Sequence, residues 1–191
     1  MAKKILYQTL QNRDNPDDVE KWGPFPCKWP NTWLGHGYYF WDTFLSNAHW
    51  WGNHRYNGKH IICSCECDYD TNRCFDLVGT TEHLEVFDNC VELMRSKNLV
   101  NRSTTVARVI AHMKNTLKIF RYEAVRVYGI NSLSDIKEND NFLYRLNFEI
   151  GKVQYLDVKP AIQICIYKKN GLDLKNYSII YPDEFNNDYV V

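Results

Sequence analysis

The chain has 191 residues, of which 45% are hydrophobic and 15% aromatic, which is enough to bury the core of one domain spanning residues 1–191. Its 23 Lys and Arg equal its 23 Asp and Glu, so it lacks the basic composition typical of nucleic-acid-binding domains. No apolar run approaches the ~18 residues of a membrane span. We therefore expect no membrane partner. The seven cysteines show no spacing typical of a disulfide framework, so we expect reduced thiols in a cytoplasmic protein.

The N-terminal half is predicted to alternate strands and helices. Residues 11–34 are rich in proline and asparagine and predict a loop, with a helical turn near 16–21, that Trp22, Phe25, Trp29 and Trp33 hold in place. The periodicity on either side predicts strands at 4–10, 37–41 and 59–67 and a helix at 43–52. In the last strand, alternation places Ile61, Cys63, Cys65 and Cys67 on one face.

The C-terminal half is predicted to hold two helices followed by strands. One helix covers 81–97, capped by Thr80 or Thr81, with an apolar stripe of Leu84, Phe87, Val91 and Met94. The other covers 103–115, with Ser103 as its cap and Val106, Val109, Ile110 and Met113 facing inward. Strands are predicted at 122–128, 142–149, 153–156, 160–167 and 176–181, with Gly151 in a hairpin turn. This order of elements indicates an α+β fold.

The most informative segment is Gly35–Trp51, where a Gly-x-Gly turn precedes a run of aromatic residues. Glycines allow a tight turn and a close approach of the backbone to a ligand. Facing aromatic rings can sandwich a planar group such as a nicotinamide or a base, but the same rings can form a core. The segment alone leaves both interpretations open.

This segment closely resembles the poly(ADP-ribose) polymerase and diphtheria-toxin class of ADP-ribosyltransferases. That class carries Gly-x-Gly-x-Tyr-Phe-Ala-Asp, followed by a Ser-Ala pair and an aromatic residue. The matching positions here are Gly35, Gly37, Tyr39, Phe40, Trp41 and Asp42, then Asn47, Ala48 and Trp50.

Two further segments match the class in the right order. An early strand with an aromatic-His-Gly-Ser/Thr motif corresponds to Leu6-Tyr7-Gln8-Thr9, and a late Glu-aromatic-x-Val strand corresponds to Gln163-Ile164-Cys165-Ile166. Together with Glu-Ala-Val-Arg at 123–126, these segments also resemble an uncharacterised bacterial branch of the superfamily. The resemblance implies an ADP-ribosyltransferase-like fold, in which two small antiparallel-rich sheets with flanking helices form an NAD cleft.

The resemblance also implies roles in binding NAD, the substrate. The backbone at Thr9 would bond the nicotinamide amide, Tyr39 would stack on the ring, and Trp50 would cover its other face. Asn47 takes the place of the serine that bonds the carboxamide, and its amide can both donate and accept. The glycines at 35 and 37 would let the strand turn close to NAD.

The implied catalytic set is Gln8, Tyr39 and Gln163, where the polymerases have His, Tyr and Glu. Losing one aimed electrostatic contact typically costs ~10²–10³ in rate, so we expect no chain elongation. The implied activity is mono-ADP-ribosyl transfer, with release of nicotinamide, to an unknown protein, nucleic acid or small acceptor. A carboxylate that enters the cleft from a loop would take the place of the glutamate, and the candidates are Glu149, Asp157 and Asp173.

Two rival functions share this fold. One is a non-catalytic module that binds NAD or ADP-ribose, which the glutamines at positions 8 and 163 favour. The other is an NAD-dependent RNA 2′-phosphotransferase, which needs basic residues that a chain without net charge is not rich in.

Other candidate chemistry is weaker. Cys63, Cys65, Cys67 and Cys74 lie near histidines in the sequence, but Cys-x-Cys on a strand is not the Cys-x₂-Cys knuckle of zinc sites, so no metal is predicted. His36 between the two glycines could reach a phosphate, although loop histidines are commonly solvated. Trp41 and Trp51 are predicted to pack in the core.

Overall fold

The computed structural model describes residues 2–129, 133–139 and 141–186. Within them the chain forms an α+β fold, as predicted. Its four α-helices are α1 (Pro16–Trp22), α2 (Leu45–Tyr56), α3 (Thr81–Ser96) and α4 (Val106–Asn115). Its strands are β1 (Ala2–Gln11), β2 (Tyr38–Asp42), β3 (His60–Tyr69), β4 (Cys74–Asp76), β5 (Ala124–Gly129), β6 (Lys137–Glu138), β7 (Asn141–Phe142), β8 (Arg145–Asn147), β9 (Tyr155–Asp157), β10 (Ala161–Ile166) and β11 (Lys175–Tyr181).

The centre of the fold is one seven-stranded sheet with the order β11-β3-β1-β2-β10-β5-β4. Neighbouring strands are antiparallel except for β4 and β5, which are parallel. The sequence led us to expect two small sheets. The structure instead has one sheet whose halves are joined by short pairing of β1 with β2, at Leu6–Asp42 and Tyr7–Trp41. The short strands form two separate ribbons, β6–β7 and β8–β9.

Hydrophobic clusters cover both faces of the sheet. The helices α3 and α4 pack with Met94, Ile110 and Met113 against Phe75 and Val125 of the sheet. The helix α2 packs beside them over Trp41 and Ile62. On the opposite face the alternating residues of β3 are buried as predicted. There Cys65 and Cys67 pack in a cluster with Leu6, Phe40, Ile164 and Leu172.

A buried cluster of charged residues ties both halves of the sheet together. Arg126 on β5 donates through Nε to Asp42 at 2.7 Å and through Nη1 to Asp76 at 3.1 Å. Lys4 on β1 donates to the same Asp42 at 3.0 Å, and the Tyr69 hydroxyl donates to Asp76 at 2.6 Å. The Thr43 hydroxyl also donates to Asp42, at 2.8 Å, so each carboxylate has charged and neutral donors, which a buried charge requires.

Several local predictions were wrong. The helix α4 begins at Val106 and is capped by Thr105, whose hydroxyl accepts from the Arg108 amide at 3.2 Å, because Ser103 is engaged with Asn101 in the preceding turn. Leu84 on α3 and Val106 on α4 are exposed, although both were predicted to face inward, and Cys90 replaces Leu84 in the buried stripe of α3.

The predicted strand at 142–149 is divided between two ribbons. Gly151, with a φ of +75°, lies as predicted in the turn that joins β8 to β9. In the described ranges no helix has the length and apolarity needed to cross a bilayer.

Candidate functional site

A cleft of about 440 Å³ opens where β1 and β2 separate. The two strands pair only near Leu6 and Tyr7 and then diverge. The loop after α1 bridges the gap, because Phe25 bonds the Gln8 side chain and Cys27 pairs with Gly37 through backbone hydrogen bonds of 2.7 and 3.2 Å. One side of the cleft is therefore sheet, and the other is loop together with the end of α2.

The cleft brings together the three motifs that the resemblance singled out. Gln8, Tyr39 and Gln163 all line it, although more than a hundred residues separate the first from the last. They meet because their strands β1, β2 and β10 are neighbours in the sheet. Thr9 also lines the cleft, and its hydroxyl donates to the Ala48 carbonyl at 3.0 Å, which fixes the start of α2 against β1.

The Gln8 side chain is buried and hydrogen-bonded to the protein itself. Its Nε2 donates to the Phe25 carbonyl at 2.8 Å, and its Oε1 accepts from the Phe25 amide at 2.9 Å and from the Tyr177 hydroxyl at 2.8 Å. Only the second hydrogen on Nε2 has no partner among these bonds. Gln8 therefore positions the loop, and it can offer at most one donor to a ligand.

The Tyr39 hydroxyl is likewise engaged. It accepts from the Leu34 amide at 2.8 Å and donates to the Gly35 carbonyl at 2.7 Å. Burial raises the pKa of Tyr39, so the hydroxyl remains neutral over the physiological range. What Tyr39 can offer a ligand is the surface of its ring, which is the part that the stacking prediction uses.

Gln163 is a polar side chain of the cleft that is available for a ligand. It lies in the middle of β10, opposite Trp41 on one side and Val127 on the other. It is partly buried, and its amide makes no hydrogen bond to any residue in the described ranges. An unengaged amide in an aromatic cleft can both donate to and accept from a polar ligand.

Two predicted binding residues with side chains, Asn47 and Trp50, lie outside the cleft lining. Asn47 is fully buried, and its Nδ2 donates to the Pro160 carbonyl at 2.9 Å, while its Oδ1 is buried without a partner. Trp50 packs edge-on against Trp41 at 6.3 Å and stacks on His54 at 5.6 Å.

Trp41 is buried in a core cluster, as expected, and Trp51 packs partly buried against that cluster, but both also line the cleft. The structure thus places Trp51, rather than Trp50, on the helix side of the cleft. The helical period could not distinguish these adjacent residues, because the direction in which α2 faces depends on its packing against β1 and β2.

The two glycines of the motif differ in their surroundings. Gly35 has a φ of +89°, a conformation that favours glycine, and no atom lies within 4 Å of where a Cβ would be. A Cβ on Gly37 would lie 2.6 Å from the sulfur of Cys165 and 2.8 Å from the Ile166 carbonyl. Gly37 therefore permits close packing of the chain on β10, and neither glycine lines the cleft itself.

The cleft carries positive but no negative side chains among its described lining residues. Lys28 and Arg55 are its cations, and the Arg55 guanidinium lies 4.5 Å from the centre of the Trp29 ring.

The candidate carboxylates lie elsewhere: Asp173 pairs with Arg73, and Asp157 accepts from the Tyr128 hydroxyl at 3.0 Å. Glu149 lies in the turn after β8 and does not line the cleft.

Several lining residues were not assigned to the site from sequence. Trp29, Trp33 and Tyr56 add aromatic surface, and Trp29 and Trp33 remain 41% and 44% exposed. We expected Trp22 to hold the loop in place as well, but its side chain is 57% exposed. The sequence signal for these residues was the presence of tryptophans in a proline-rich loop beside a glycine turn. We interpreted these tryptophans as residues that hold the loop in place, and not as part of a site.

The cysteine row is buried, and burial raises the pKa of Cys63 to about 12. Such thiols stay protonated and unreactive. Across the described ranges, no group of three or more His, Cys, Asp or Glu side chains is placed to hold a metal ion.

Comparisons with protein-family models, with curated proteins and with solved structures found no match for this chain.

Proposed function

We propose that this chain binds NAD in the cleft between β1, β2 and β10 and transfers a single ADP-ribose group to an acceptor. One observation supports this most: the three motifs that resemble the transferase class, at Gln8, Tyr39 and Gln163, converge on one aromatic cleft. The proposal includes an ADP-ribosyltransferase-like fold. It also includes a cytoplasmic setting, which the absence of disulfides among the seven cysteines supports.

The cleft has the groups that a dinucleotide needs. Tyr39 and Trp51 provide ring surfaces for the nicotinamide, and such stacking contributes ~1–3 kcal/mol per ring. Arg55 and Lys28 suit the diphosphate. The free amide of Gln163 is then the group that hydrogen-bonds the hydroxyls of the nicotinamide ribose.

The reaction requires the bond between the ribose C1′ and the nicotinamide nitrogen to break. The electron pair of that bond leaves with nicotinamide, and positive charge develops on the ribose. The acceptor then donates an electron pair to C1′ and releases a proton to solvent. Because Gln163 is neutral, it can orient the ribose but cannot offset the charge, so the expected rate is low.

A binding module without catalysis is the second candidate. It is favoured by the lack of any Asp or Glu among the described lining residues, since the polymerases place a glutamate at this strand. This module would use the same rings and the same cations. The two candidates differ only in whether nicotinamide is released.

Calorimetric titration with NAD tests the binding that both candidates share. Trp51→Ala should weaken NAD binding by about tenfold, the effect of losing one stacked ring. Trp22→Ala is the matched control, because Trp22 is exposed on α1 and does not line the cleft. Wild-type protein that does not bind NAD, or equal affinities in the two variants, would contradict the proposed site.

A further inference from the structure

A second groove of about 630 Å³ adjoins the cleft. Its walls are the loop at 30–36, the first turn of α4 and the end of β5. The two spaces share Asn31, Thr32 and Trp33, so these three residues border both of them. A molecule in the groove would therefore lie next to a molecule in the cleft.

The groove also approaches the cleft beneath Trp33. Val127 lines the groove and pairs directly with Gln163, which lines the cleft. Residues directly opposite in an antiparallel pair point to the same face of the sheet, with Cβ atoms ~5 Å apart. The groove thus opens beside the side chain that we assign to the nicotinamide ribose, which is where an acceptor must approach C1′.

The chemistry of the groove indicates an anionic ligand with flat rings. Its basic lining residues are Arg108 and His36, both exposed, and none of its described lining residues is Asp or Glu. Trp33 and Tyr128 are 44% and 39% exposed there. The balanced composition of the chain does not predict this, since acidic residues equal basic ones overall.

We propose that the groove binds single-stranded nucleic acid, and that a base held there is the acceptor of ADP-ribose. This inference rests on the proposed function. A base would stack on Trp33 or Tyr128, and Arg108 would contact a backbone phosphate. A basic peptide would instead call for acidic side chains, and none of the described lining residues of the groove is Asp or Glu.

The transfer step balances without any further reactant. An exocyclic amino nitrogen of the base, or a ring nitrogen that carries a hydrogen, donates its electron pair to C1′ and forms the new C–N bond. The old C–N bond breaks, and its electron pair leaves with nicotinamide. The base nitrogen then loses its proton to water.

Two measurements on the full chain test this proposal. The first is fluorescence anisotropy with a labelled short oligonucleotide of mixed sequence and no NAD. Arg108→Glu should weaken binding of the oligonucleotide by about tenfold. It should also reduce the slope of log affinity against log salt concentration by about the amount that one phosphate contact contributes. Arg102→Glu makes the same charge change at an exposed site outside the groove and should behave as wild type.

The second measurement adds NAD and compares the oligonucleotide with a mixed peptide pool by mass spectrometry. A mass gain of one ADP-ribose on the oligonucleotide, reduced in Arg108→Glu, is expected. The nucleic-acid proposal is overturned by absent binding, by equal affinity in the two arginine variants, or by labelling of peptides alone while nicotinamide is released. If no nicotinamide is released under any condition, the proposed transferase function fails, and the acceptor role fails with it.

Discussion

The Gln8 side chain holds the backbone of Phe25 by two reciprocal hydrogen bonds, of 2.8 Å from Nε2 to the carbonyl and 2.9 Å from the amide to Oε1. The side-chain amide of Gln8 therefore bonds the Phe25 backbone in the way that a neighbouring strand would, although Phe25 lies in a loop. This contact positions the loop that carries Trp29 and Trp33 over the cleft. At the place where the class has a ligand-binding histidine, this chain has a residue that builds the wall of the cleft.

Gln8→Ala should lower the free energy of unfolding by about 2–4 kcal/mol, because it leaves polar groups of Phe25 and Tyr177 buried without partners. Urea unfolding followed by circular dichroism measures this change. Gln11→Ala is the matched control, since Gln11 is exposed on the same strand. Similar losses in both variants would show that the Gln8 contacts do not stabilise the fold.

The buried charge cluster should be sensitive to the loss of its arginine. Arg126→Met leaves Asp42 and Asp76 buried with fewer donors, so we expect a loss of about 3–5 kcal/mol in the free energy of unfolding. Arg95→Met removes an exposed arginine that pairs with Glu92 on α3, and it should cost no more than about 1 kcal/mol. Denaturant titration of both variants checks the difference, and comparable losses would contradict this account of the cluster.

Stability should decrease on the acid side of neutrality, partly through His60. Burial lowers the pKa of His60, which packs against Tyr181 and has His49 nearby. Its neutral form is thus favoured in the folded state. The resulting stability is present above the unfolded pKa of ~6.5 and is lost as the pH falls through the lower folded pKa.

Thermal unfolding across this pH range measures the effect. The melting temperature of His60→Gln should fall less steeply with decreasing pH than that of wild type. Part of the fall that remains is due to His49, because burial also lowers the pKa of His49. His54→Gln, on the exposed side of α2, should retain the wild-type slope. If His60→Gln declines as steeply as wild type, His60 does not supply this dependence.

Most of the fold was predictable because the apolar pattern is strong where elements cross the core. The period of two in β3 and the stripe that ends at Met94 in α3 both identify buried faces. The start of α4 was not predictable in the same way, since Ser103 and Thr105 are both good caps. The choice depends on the turn that Asn101 makes with Ser103 and Thr104.

The site was predictable in part. The motif order identified Gln8, Tyr39 and Gln163, which line one cleft. Sequence could not show that Asn47 would instead bond Pro160, because that contact joins positions 113 residues apart. Nor could it show that Gln8 holds Phe25, since the loop conformation determines that partner.

The central claim is that the cleft positions the ribose of NAD beside Gln163. The most direct measurement is the rate of nicotinamide release from NAD, followed by mass spectrometry, in wild type and Gln163→Glu. A carboxylate at this position would offset the developing charge, so the variant should release nicotinamide about 10²-fold faster. Gln154→Glu introduces the same charge in the exposed turn before β9 and should match wild type. A rate in Gln163→Glu no higher than in Gln154→Glu would contradict the claim.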